Sequence, residues 1–343
     1  MWKAKGSVRY FLSILATAFV QMGVFIYAQK ILSGSFSNVE SGQTWQTFML
    51  QIFFVAPFVL MIWPAGFFTS RFSKNKVLAW SSLLMTLFVT AQAVLVTCDC
   101  PRVAFWLAIG LSSGFAVHSA AKYAIIREMF GVHNLSYANA FLQIFSLIGI
   151  IASSWLAIVG VNLIDLQALV RYEAVGVIIS KSVVIPWILV TVSVLGTVAS
   201  FLIPKVKYND KNIKFSVARR RLSFGWRHRT LRASIIALSM FWALAQVFLL
   251  VFQDVSGSQT VNTMQNYLAF AVVGLVVGSI IAAHNSKDFI ETGFVPLGMI
   301  GASLCMFLIP FFVHPVALSI LYTAIGIFGG MFLVPVNALL QYN

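Results

Sequence analysis

Ten long apolar runs, each about the length a helix needs to cross a lipid bilayer, constrain this chain more than any single residue does. They are Phe11–Gln29, Phe48–Phe68, Val77–Thr97, Val103–Ile126, Ala138–Val159, Ser182–Ile203, Ala233–Phe252, Tyr267–Ala283, Phe294–Val313 and Val316–Leu340. In lipid an unpaired backbone N–H or C=O is costly, so a spanning segment closes its hydrogen bonds within itself and becomes a helix. Composition points the same way: with 60% hydrophobic and 9% charged residues in 343, no single water-soluble core could absorb the apolar surface. The expected fold class is an all-α polytopic membrane protein.

The first run follows Lys3, Lys5 and Arg9 and so resembles a secretory signal. It is longer than a signal's apolar stretch and opens a multi-span pattern, which reads as an uncleaved first helix. With the N-terminus inside, nineteen of the 23 Lys and Arg fall on inner segments. Only Lys30, Arg102, Arg171 and Lys181 fall outside. Cytoplasmic loops retain positive charge, so both termini are expected on the cytoplasmic side of a bacterial inner membrane.

Ten of the inner basic residues lie between Lys205 and Arg232, nine of them in the segments KVKYNDKNIK and ARRRLSFGWRHRT. That shift from apolar to basic marks a boundary. The expected organisation is a six-helix half over 1–204, a basic cytoplasmic linker over 205–230 and a second, four-helix half over 231–343. The net charge of +14 does not imply nucleic acid, because the basic residues gather on the face that meets anionic lipid.

Short motifs refine the plan. After the second run come Gly66, Phe67, Phe68, Thr69, Ser70, Arg71, Phe72, Ser73 and Lys74, which resemble the loop motif of the major facilitator superfamily, with Ser70 at its Asp position. Gly66 is expected to let neighbouring helices approach closely, and Arg71 to bridge helix ends. Six helices, a long basic loop and a second apolar half also match that superfamily, whose two halves are related repeats moving around a central site. The resemblance implies a twelve-helix plan with six plus four helices visible, the last two of the usual twelve being absent from the sequence.

Three later blocks resemble the bacterial lysophospholipid transporters within it. The first is Ala121-Lys122-Tyr123 through Glu128, followed by Tyr137-Ala138-Asn139-Ala140. The second is Val276–Leu304, with Gly278, Glu291, Gly293 and Pro296, and the third is GGMFLVPVNALLQ, Gly329–Gln341. This resemblance implies inward flipping of lysophospholipid, chiefly lysophosphatidylethanolamine, for reacylation by a partner acyltransferase. Two departures stand out: Ala18-Phe19-Val20-Gln21-Met22 lies where the family has an acidic, amide-rich patch, and Gln143 replaces an acidic residue.

Charge placement bears on mechanism independently of the resemblance. All nine carboxylates, Glu40, Asp99, Glu128, Asp165, Glu173, Asp210, Asp254, Asp288 and Glu291, fall in loops or at helix ends. Ion-driven transporters usually hold an ionisable group near the membrane centre, so proton coupling through a buried carboxylate is not expected. Polar groups inside the runs are amides, hydroxyls and one basic pair; the amides Gln21, Gln92, Gln143, Gln246 and Asn337 could line a path for a zwitterionic headgroup or simply join helices by hydrogen bonds.

His118 and Lys122 are four residues apart and share a helix face. Lys122 could hold a phosphate as a point charge, pair with Glu128, or snorkel to the interface. The candidate substrate-binding residues are thus Gln21, Lys122, Asn139, Gln143, Gln246 and Asn337. The gating or structural ones are Gly66, Arg71, Glu128 and Gly278.

Enzymatic motifs are lacking: the sequence has no HExxH or Walker pattern, and its one GxSxG string, Gly110–Gly114, lies inside an apolar run and not at a nucleophile turn. Cys98 and Cys100 flank Asp99 too closely for an unstrained disulfide, and two sulfurs do not make a zinc site. No cofactor, metal or nucleic acid is expected; the expected partners are membrane lipids, a lysophospholipid substrate and an acyltransferase. Alternatives are a small-solute facilitator and a non-transporting scaffold for a lipid-remodelling enzyme.

Overall fold

The computed structural model describes residues 4–35, 43–98, 100–163, 181–205, 226–255, 261–286, 290–312 and 314–342. Among these residues every apolar run is a helix and no strand occurs. The helices are α1 Ala4–Ser35, α2 Gln43–Arg71, α3 Lys74–Thr97, α4 Pro101–Phe130 and α5 Leu135–Leu163. They continue as α6 Lys181–Phe201, α7 Arg229–Val255, α8 Val261–Asn285, α9 Phe294–Leu308 and α10 Pro315–Tyr342. A short 3₁₀ turn, Ile309–Phe311, extends α9.

Seven of these, α1, α3, α5, α6, α8, α9 and α10, are long and apolar enough on their described residues to cross a membrane. Helix α2 makes an eighth as a bent span, turning by 52° between Phe54–Met61 and Trp63–Arg71. Pro64 explains the bend, since it lacks the N–H that would pair with the Leu60 carbonyl and its ring crowds that turn. Large apolar side chains lie bare along the helices: Leu60 is 73% exposed, Leu195 64%, Ile300 68% and Phe307 66%. Such surface is costly in water and costless against lipid tails. The protein is a multi-pass membrane protein.

Packing groups the chain into two units, Met1–Ile125 with Ile148–Phe215, and Ile126–Leu147 with Ser216–Asn343. Helices α4 and α5 therefore change unit along their length. Their joint is a tight turn in which Gly131 has φ +76°, a left-handed conformation that favours glycine at a helix C-terminus, and its N–H pairs with the Arg127 carbonyl.

In the first unit α1, α3 and α6 pack around Val20, Val24, Met85, Val89, Phe115 and Leu189. The second unit is built on α10, whose residues from Gly329 to Ala338 are all buried. Helix α10 is thus enclosed over that stretch, as expected for a run that is apolar all round. Phe332, Leu333 and Val336 meet Leu238 and Phe241 of α7, Leu275 of α8 and Met299 of α9, and the Phe241 and Phe332 rings stack at 5.1 Å.

Helices α8 and α10 approach until their backbones touch. A methyl group on Gly278 would fall against the Ile327 carbonyl, and one on Gly326 against the Ala271 carbonyl. One on Gly330 would lie 2.6 Å from the Ser279 nitrogen. Gly274 and Gly278 are one turn apart on α8, and Gly326 and Gly330 one turn apart on α10. The two small-residue stripes interlock, the arrangement that lets membrane helices gain van der Waals contact where lipid supplies no hydrophobic drive.

Candidate functional site

The polar interior of the first unit begins at His118 of α4, which is 1% exposed. Its Nδ1 lies 3.3 Å from the hydroxyls of both Ser81 and Ser82 on α3. Ser82 continues to Ser200 of α6 at 3.1 Å, and Ser200 also contacts Ser13 of α1. One turn along α3, Thr86 bonds the hydroxyls of Ser193 and Thr197 on α6, each at 2.7 Å. Side chains four apart on a helix stack on one face, so serines and threonines at 82 and 86 on α3 and at 193, 197 and 200 on α6 meet as a ladder. Each hydroxyl finds a partner that lipid would deny it.

Beside this ladder lies a cavity of about 10 Å³, lined by Thr17, Ser82, Phe115, Ser193 and Thr197. A second of about 10 Å³ is lined by Gly23, Tyr27, Ser153 and Leu189. Each is about the size of one water. A ligand pocket is typically roughly 300 Å³ or more, so neither cavity admits a headgroup.

One turn beyond His118, Lys122 is half-buried, with its ammonium 5.2 Å from the centre of the adjacent Tyr123 ring. A cation over an aromatic face is attracted by the ring quadrupole. The fully buried Tyr10 of α1 donates its phenol proton to the Lys122 carbonyl at 2.7 Å. Lys122 makes no ion pair among the described residues, so the expected alternative of pairing with Glu128 is not realised. Glu128 itself is exposed at the end of α4. Gln21 is half-buried on α1. Gln92 is buried, with its amide nitrogen lacking a partner among the described residues.

In the second unit the amides fall into two levels. Asn139 of α5 and Gln341 of α10 pair reciprocally: Asn139 Nδ2 donates to Gln341 Oε1 at 2.9 Å, and Gln341 Nε2 donates to Asn139 Oδ1 at 2.8 Å. Asn139 Nδ2 also donates to the Leu135 carbonyl at 2.8 Å. One turn further along α5, and one turn back along α10, stand the buried Gln143 and Asn337. Neither has a side-chain hydrogen bond among the described residues. Gln246 is on α7, but its side chain is outside those described.

The expected gating residues separate. Gly278 sits in the tight α8–α10 contact. Gly66 does not make the expected close approach: among the described residues nothing lies within 4 Å of where its Cβ would be. The reason is its exposed face of α2, where no described helix packs. Arg71 is exposed, and its guanidinium lies 5.5 Å and 5.9 Å from the Phe67 and Phe72 ring centres.

Sequence reading missed the hydroxyl ladder, Tyr10 and the partner of Asn139. Serine spacing on α3 and α6 was a usable signal for the first, and Gly274, Gly278, Gly326 and Gly330, at GxxxG spacing, were a usable signal for the α8–α10 contact. Cys98, Cys100 and Cys305 are free thiols, and no cluster of three metal-ligating side chains occurs among the described residues.

Residues 10–343 match the family model described as Major Facilitator Superfamily. The chain is 27% identical over 309 residues to a protein of Photorhabdus laumondii named lysophospholipid transporter LplT, covering 87% of this chain and 71% of that one. A Klebsiella pneumoniae protein of the same name is 28% identical over 313 residues, with the same shares covered. Among solved structures, the superfamily transporter FucP in its outward conformation superposes with a TM-score of 0.67 at 15% identity, covering 96% of this chain and 88% of FucP. The proton:xylose symporter XylE gives 0.65 at 13% identity, with 98% and 85% covered. At such identities these structures establish the fold.

Proposed function

Because this chain belongs to the Major Facilitator Superfamily, and is a membrane transporter of that type, we propose that its cargo is lysophospholipid, flipped across a bacterial inner membrane. The observation that carries this reading is the likeness to named lysophospholipid transporters over 87% of the chain. Lys122 gives the reading a residue. It is a half-buried ammonium with no acidic partner among the described residues, and a phosphodiester is a group such a charge can hold. Gln21, Gln143, Gln246 and Asn337 are assigned hydrogen bonds to the headgroup along its path. The acyl chain stays with the bare apolar faces, where leaving lipid costs nothing.

The basic residues orient the protein with both termini in the cytoplasm. The cargo then arrives where an acyltransferase can reacylate it, and that enzyme is the partner this reading implies. In keeping with the expected division, 1–204 and 231–343 act as the two halves and 205–230 as the linker between them.

Uptake of labelled lysophosphatidylethanolamine into proteoliposomes tests the proposal. Lys122→Ala should lower uptake about tenfold or more, which corresponds to about 1.4 kcal/mol of lost interaction, with melting temperature unchanged. Lys122→Arg should retain part of it. Absence of uptake by the unaltered protein sinks the proposal.

A further inference from the structure

Two of the three sequence blocks that resemble the lysophospholipid transporters are hydrogen-bonded to each other. Asn139 lies in the second turn of α5, and Gln341 in the last turn of α10. Their reciprocal bonds, 2.9 and 2.8 Å, use one donor and one acceptor of each amide. With the Leu135 carbonyl taking the other Asn139 proton, both donors of that side chain are engaged. Asn139 is therefore poorly suited to the headgroup role its position suggests.

The surroundings point to a different role. Next to Asn139, Ala140 packs with Ala282 and Ala283 of α8 and Val334 of α10, with Tyr137 against them. The patch is small-sided and buried. Arg127, at the end of α4, adds a hydrogen bond to the Gln341 carbonyl at 3.3 Å. These contacts hold the hairpin Ile126–Leu147, the one part of the first six helices that packs with α8 and α10 rather than with α1, α3 and α6. Both amides sit at helix ends, where water can take over their hydrogen bonds once they part. Neither is charged, so separating them strands no ion. A contact that is specific when closed and inexpensive to open suits a part that makes and breaks in every cycle.

We infer that Asn139 and Gln341 form an uncharged latch which fastens the α4–α5 hairpin to α10 in one state of the transport cycle and releases it in another. The inference rests on the proposed reading that this transporter works by changing conformation. A permanent tie would use the same hydrogen bonds, and the distinction is whether they must open.

Cysteines at both positions, in a chain whose Cys98, Cys100 and Cys305 are changed to serine, provide the test. Bridging Asn139→Cys and Gln341→Cys through disulfides with a short bifunctional methanethiosulfonate should abolish lysolipid uptake, and reduction of those disulfides should restore it. Full uptake by the bridged protein overturns the latch. A second arm needs no lipid movement and so separates failure of the latch from failure of the cargo assignment. A cysteine replacing Val334, which is 1% exposed, should react slowly with a maleimide. Adding Asn139→Ala should speed that reaction, and the exchanged pair Asn139→Gln with Gln341→Asn should slow it again. Reactivity indifferent to Asn139→Ala overturns the latch whether or not the protein carries lipid.

Discussion

The two packing units solve one problem by different chemistry. In the first, α1, α3, α4 and α6 are joined by side-chain hydrogen bonds running from Ser81 and His118 through Ser82, Ser200 and Ser13, and again from Thr86 to Ser193 and Thr197. In the second, α8 and α10 are joined by backbone against backbone through Gly274, Gly278, Gly326 and Gly330. Lipid gives neither pair a hydrophobic reason to associate. A hydroxyl ladder loses strength one rung at a time, because each rung is a separate bond. An interlocked backbone has no rungs, and one misplaced atom separates the helices along their whole contact.

That difference sets the size of the expected damage. Gly278→Ala puts a methyl group into the Ile327 carbonyl, with no flexible side chain there to yield. A destabilisation of about 3 kcal/mol is expected, at the upper end of what overpacking a tight interior costs. Thermal unfolding in detergent would read it as a large fall in melting temperature. An unchanged melting temperature would show that α8 and α10 are not held by close approach.

Thr86→Val keeps the shape and deletes two of the ladder's 2.7 Å hydrogen bonds. Interhelical hydrogen bonds in membranes average about 0.6 kcal/mol, so a loss of about 1 kcal/mol is expected. A loss as large as that of Gly278→Ala would mean that the ladder is cooperative and that the contrast between the units is false.

Helix positions were legible because hydrophobic run length is a strong signal and the bilayer admits few alternatives. Pro64 shows what that signal leaves out: run length locates α2 but does not report its 52° bend. The site was legible in part. Lys122 and His118 were visible as a one-turn pair, since helical spacing is fixed. The partners of His118 were not, because Ser81, Ser82 and Ser200 come from α3 and α6, and pairing between helices is decided by packing rather than by local order. Asn139 stood out as polar within an apolar run, yet residue type alone cannot say whether an amide faces a ligand or another amide 202 positions away.

Gly66 and Gly278 make the smallest test the most discriminating. Motif resemblance recommended both as gating or structural glycines, and the structure separates them. Gly66 meets none of the described residues, whereas Gly278 touches backbone. Glycine within a helix is less favourable than alanine by roughly 0.8–1.0 kcal/mol through backbone entropy alone. Gly66→Ala therefore should leave stability unchanged or raise it slightly, by no more than about 1 kcal/mol, in the melting experiment in which Gly278→Ala lowers it. If Gly66→Ala instead lowered lysolipid uptake while melting stayed normal, the glycine would be needed in a state where another helix approaches α2. The contrast between the two glycines would then belong to this conformation and not to the whole cycle.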